Sequence, residues 1–150
     1  MYKKSIVHNM TRVCVDILFY VGIICCLLVP FSKPWLIKYF GFASKTASLM
    51  IIVLVLSGIL SVYILLQLKI IFRTLLVGNP FIMTNVMCLR KISIASILIS
   101  IIYVGKCLFS FTIATLVIIV IFIISSLFCL TLKDLFKQAI YYKDENDLTV

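Results

Sequence analysis

Four long apolar runs, separated by short polar breaks, set the pattern of this chain. They fall at about 13–31, 47–68, 92–109 and 111–132, each close to the roughly 20 residues a helix needs to cross a hydrocarbon core about 30 Å thick. In lipid a helix satisfies its own backbone, so the pattern predicts four transmembrane helices in one all-α integral membrane domain spanning residues 1–150. The first run is longer than a usual signal-peptide core and no small-x-small cleavage site follows it. It reads as a retained helix. Between the first two runs, Lys33, Lys38 and Lys45 stand among Trp35 and Tyr39, residue types that anchor helices at a membrane interface.

Polar residues inside the runs suggest how the helices meet. Ser57 and Ser61 make a small-x-x-x-small pair beside Gly58, and Ser93, Ser96 and Ser100 share one face of the third helix. Ser61 and Ser100 stand at similar depth, so helices two and three are expected to pack there. A polar conduction path is the alternative, and it lacks an acid or base at that depth. The third and fourth runs are so close in sequence that they must form an antiparallel hairpin.

The break at 69–91 is the longest between runs. It holds Lys69, Arg73, Arg90 and Lys91 and no acid. The second helix is expected to run on through 69–77 and stop at Gly78-Asn79-Pro80, because glycine caps a helix and proline cannot continue one. Thr84 is the expected N-cap of a helix starting near Asn85. After the fourth run, Leu132, Leu135, Phe136, Ala139 and Ile140 follow a helical apolar spacing opposite Lys133, Asp134, Lys137 and Gln138. The tail 133–150 therefore reads as an amphipathic extension with an acidic end, Asp144, Glu145 and Asp147. Contact between that end and the basic break is one expectation; a solvated tail is the other, since exposed ion pairs are weak.

Composition changes the meaning of the charge. Hydrophobic residues make up 64% of the chain, and the net charge is +9 from 14 bases and 5 acids. In a soluble domain that balance would suggest nucleic acid. Here the bases flank apolar spans and report orientation instead, and no direct nucleic-acid binding is expected. With both termini inside, ten of the 14 bases lie on the cytosolic side, together with the 69–91 loop and the tail. That is the favoured topology, N-in and C-in, in the cytoplasmic membrane.

Candidate chemistry is sparse. Asp16 is the only acid inside a span, and four residues from Arg12 it is expected to pair there or to reach the headgroup layer. Lys106, near the far end of the third helix, is expected to snorkel outward, on the opposite side from Asp16. The six cysteines contain no C-x-x-C pair and read as small apolar filler, with a disulfide from Cys25 or Cys26 to Cys107 left open. No nucleophile–base pairing and no clustered metal ligands can be read, so no catalytic, cofactor or metal residue is assigned.

Two stretches carry a resemblance. Gly78-Asn79-Pro80-Phe81, then Asn85 and Leu89-Arg90-Lys91-Ile92, resembles the central signature of the domain-of-unknown-function 2975 family of small bacterial membrane proteins. Leu132-x-x-Leu135-Phe136-x-x-Ala139 and the closing Glu145-Asn146-Asp147-Leu148-Thr149-Val150 resemble its C-terminal signature. The resemblance implies a four-helix inner-membrane protein often encoded beside a small Cro-type helix-turn-helix regulator, and it implies no reaction. It directs attention to Asn79, Pro80, Phe81, Arg90, Lys91, Glu145, Asn146, Asp147 and Leu148 as candidate partner-binding residues. The leading expectation is a regulatory or sensory partner of such a regulator, with the lipid bilayer and a homo-oligomer as further partners. The alternatives are an immunity or envelope-stress protein acting against a membrane-active peptide, and a small transporter subunit requiring Asp16 or Lys106.

Overall fold

The computed structural model describes residues 6–40, 44–78 and 80–148. Among them every regular element is helical: α1 Ile6–Leu28, a 3-10 turn Val29–Ser32, α2 Lys33–Phe40, α3 Ser44–Leu76, α4 Met83–Cys107 and α5 Ile113–Leu148. Four of these, α1 with its extension, α3, α4 and α5, are long and apolar enough to cross a membrane, which makes this a multi-pass membrane protein. Proline ends the first. Pro30 cannot donate to the helix, the chain tightens into the 3-10 turn, and Ser32 Oγ donates to Val29 O at 2.6 Å. The short α2 then stacks Trp35 on Tyr39, with ring centroids 4.7 Å apart.

The helices pack as a row in chain order: α1 on α3, α3 on α4, α4 on α5. α4 is the centre of that row. Half of its span is buried, against 6% for α1 and α3 and 17% for α5. Its inner face joins Cys88, Leu89 and Ile92 to Ile71 of α3 and Cys129 of α5, with Ile64, Ile70, Leu132 and Phe136 packed around them.

Small residues set the spacing of α1 and α3. Ser57 and Ser61 bond within α3, to Leu54 O at 3.2 Å and to Ser57 O at 2.8 Å. Their neighbour Gly58 faces α1: a Cβ there would stand 2.7 Å from Cys26 Sγ. Gly22 of α1 answers it, with Val62 Cγ2 3.3 Å from where a Cβ would be. The close approach therefore lies between α1 and α3. Ser93, Ser96 and Ser100 are all buried, and Ser93 pairs with Ser126 of α5 at 2.8 Å. At that level the serine face serves the α4–α5 contact, while α3 packs on α4 as expected.

The 69–91 break is mostly helix. α3 continues to Leu76 and α4 begins at Met83, which leaves a turn at 77–82. α5 continues unbroken to Leu148, a 36-residue helix about 54 Å long, well beyond a 30 Å core.

Candidate functional site

The turn between α3 and α4 is built around one buried amide. Gly78 ends α3 with φ at +83°, the left-handed conformation that only glycine adopts without strain, and its N–H reaches Leu75 O at 3.1 Å. Pro80 follows and blocks any continuation. Asn85 then ties the returning chain down. It is completely buried; its Nδ2 donates to Pro80 O at 2.6 Å, and its Oδ1 accepts from the Thr74 hydroxyl at 2.9 Å. That hydroxyl also lies 2.7 Å from Ile71 O, one turn back in α3. A single side chain thus links the last turn of α3, the proline and the first turn of α4.

The expected cap is corrected here. α4 begins at Met83, with Ile82 in the cap position and no side-chain cap bond, while Thr84 is exposed. Asn85, third in the helix, does the satisfying instead: its own N–H bonds Ile82 O at 3.0 Å while its side chain reaches outward to Pro80. Spacing alone did not reveal this, because a polar residue at the third helical position normally faces solvent. Its place in the quoted signature was the available signal.

Phe81 joins the turn to α5. Its ring lies 5.3 Å from that of Phe136, so the turn and the extension meet. Along the extension, Leu132, Phe136, Ala139 and Ile140 are half-buried as the apolar spacing predicts, while Leu135 is exposed. Beside this junction α4 and α5 leave a groove of about 310 Å³. Arg90, Lys133, Asp134 and Lys137 line it, over an apolar wall of Met83, Val86 and Met87. Lys133 and Asp134 are 3.1 Å apart.

The candidate residues divide accordingly. Pro80 and Phe81 belong to the turn, and Arg90 to the groove; Lys91 is exposed beside it without lining it. Glu145 and Asn146 are exposed on the last turns of α5, Glu145 about 13 Å further along the helix axis than Phe136. Asp147 and Leu148 share that helix, their side chains lying outside the description, and Asn79 lies outside the described residues. The groove residues Lys133, Asp134 and Lys137 were not singled out as a site. The signal for them was the i,i+4 spacing of two lysines at the end of an apolar run.

Asp16 has a different partner from the one its spacing suggested. Asp16 pairs not with Arg12 but with Lys69 of α3, Oδ1 to Nζ at 2.8 Å, and the ammonium lies 5.4 Å from the Phe19 ring and 5.5 Å from that of Tyr20. Lys69 is beyond Arg12 in sequence, which is why a local reading missed it. Lys106 stays at the α4–α5 turn, donating to Thr115 Oγ1 at 2.8 Å, with Thr112 Oγ1 3.1 Å from the same oxygen. The two charges have separate partners at opposite ends of α4's neighbours, so they form no pair. All six cysteines are free thiols.

A family model described as protein of unknown function (DUF2975) matches residues 10–150, nearly the whole chain. No curated protein and no solved structure matches it.

Proposed function

The chain belongs to the DUF2975 family, and from that premise we propose that it is a bacterial cytoplasmic-membrane protein acting as a non-enzymatic regulatory or sensory partner of a cytosolic helix-turn-helix regulator. Both termini and the α3–α4 turn face the cytosol in this reading, supported by the excess of Lys and Arg on that side. The observation that carries it is the junction of the Asn85-tied turn with α5 through Phe81 and Phe136. From that junction the helix carrying Asp144 and Glu145 projects. An acidic helix suits a basic DNA-binding partner and would compete with DNA for it.

Affinity purification from native membranes in mild detergent, followed by mass spectrometry, tests this on the full chain and on a chain ending at Tyr141. A small DNA-binding protein that co-purifies with the full chain and is lost on truncation supports the reading. If neither form retains a cytosolic partner, the reading fails. The second reading, a small transporter subunit, draws on the Asp16–Lys69 pair within the helices. It requires Asp16→Asn to abolish the phenotype while partner capture persists.

A further inference from the structure

We propose that the groove between α4 and α5 binds the headgroup of an anionic phospholipid, its phosphodiester held by Arg90, Lys133 and Lys137. Three features of the groove point to that ligand. First, its level: the apolar run of α5 ends at Leu132 and that of α4 begins at Ile92, so Lys133, Lys137 and Arg90 lie just past the same polar boundary on both walls. A boundary of that kind coincides with the headgroup layer. Second, its charge: three cations and one carboxylate leave a net +2 around one opening, where a phosphodiester carries –1. Arginine supplies a planar fork that matches two phosphate oxygens, and lysines spaced four apart on α5 present two ammonium groups to the same side.

Third, its other wall is apolar. Met83, Val86 and Met87 face the same opening, and Met83 and Met87 are about half exposed. On α4 these residues precede Arg90, on the side away from the apolar run, so they meet the carbons of a headgroup glycerol beyond the phosphate, which a free phosphate lacks. The volume of about 310 Å³ is at the lower end of small-ligand sites, enough for a headgroup whose tails continue into the bilayer. Asp134 is the built-in competitor. It holds Lys133 at 3.1 Å and must yield part of that contact to the phosphate. This inference is independent of the regulatory partner.

The test uses the full chain in phosphatidylcholine vesicles containing a trace of spin-labelled phosphatidylglycerol or spin-labelled phosphatidylcholine. Electron spin resonance then gives the relative association of the two lipids. The wild type is expected to prefer phosphatidylglycerol. Arg90→Ala or Lys137→Ala should each lower that preference about fivefold, the weight of one basic residue at an anionic surface. Asp134→Asn should raise it by a similar factor, a gain that a misfolded variant cannot produce. Lys33→Ala with Lys38→Ala, at the other end of the row, controls for general surface charge and should leave the preference at the wild-type level. Replacing chloride by inorganic phosphate at equal ionic strength should not release the label. The proposal is overturned if the groove variants match the control, if Asp134→Asn leaves the preference unchanged, or if inorganic phosphate displaces the lipid.

Discussion

Replacing Asn85 by alanine tests whether one amide holds the α3–α4 turn. The side chain is fully buried and makes two hydrogen bonds, at 2.6 Å to Pro80 O and 2.9 Å from Thr74. Each is worth about 1 kcal/mol net, and a polar group left unpaired in a buried place costs about 1–3 kcal/mol. Two mitigations apply: Thr74 keeps Ile71 O as an acceptor, and Pro80 is only half-buried, so water can reach its carbonyl. The expected loss is therefore about 2–3 kcal/mol, near the lower end of what those terms would sum to. Thr74→Val should cost about 1–3 kcal/mol, because it leaves the fully buried Asn85 Oδ1 without a donor. In a double-mutant cycle the two should couple by about 0.5–1.5 kcal/mol. Asn85→Asp, with the same shape, is expected to be no better than alanine at neutral pH, since an ionised carboxylate would aim an acceptor at the Pro80 carbonyl. The assay is reversible unfolding in mixed micelles titrated with denaturing detergent, followed by circular dichroism. If Asn85→Ala unfolds within about 0.5 kcal/mol of wild type, the scale of a neutral surface change, the turn is held by something else.

Three further outcomes follow from the contacts between helices. Gly58→Ala should destabilise by about 1–3 kcal/mol, the usual cost of overpacking, because the new methyl meets Cys26 Sγ at 2.7 Å. Adding Cys26→Ala should restore most of the loss in the same micelle assay; no restoration would mean that α1 does not pack there. Ser93→Ala and Ser126→Ala should couple by about 0.6 kcal/mol, typical of hydrogen bonds between transmembrane helices, and additive losses would deny their bond. For the Asp16–Lys69 pair, Asp16→Lys and Lys69→Asp should each lower the melting temperature, and the chain carrying both should recover it. A swap no more stable than the single variants would show that the two groups do not meet.

What the sequence disclosed and what it hid divide along a physical line. Length and apolarity are local properties, so the four helices, the stop at Gly78 and the amphipathic continuation of α5 were all legible from runs of residues. Pairings between helices were not. Asp16 had a cation four residues away, and only the α1–α3 crossing shows that Lys69 is closer. Ser93 meets a serine on α5, a pairing hidden because depth along a helix does not fix rotation about its axis. The same gap hid the groove. Arg90 was singled out beside Lys91 in the sequence, while its working neighbours, Lys133 and Lys137, are more than forty residues away.

One rule would have recovered more of the arrangement. In water the most apolar element goes to the centre, but lipid tails are as apolar as leucine, so burying an apolar helix among helices gains nothing from solvent. What lipid penalises is an exposed polar group. α4 carries Asn85, Ser93, Ser96 and Ser100 on one side and is the least apolar of the four spans, and it is α4, between α3 and α5, that is most buried. α1 and α3 keep most of their side chains facing outward at no cost, which is why the row can stay open instead of closing into a bundle. The polar residues of α4 thus choose its neighbours. The same helix carries Asn85 into the turn and Arg90 into the groove, so the end of the protein where binding is proposed is fixed by the least apolar of the four spans.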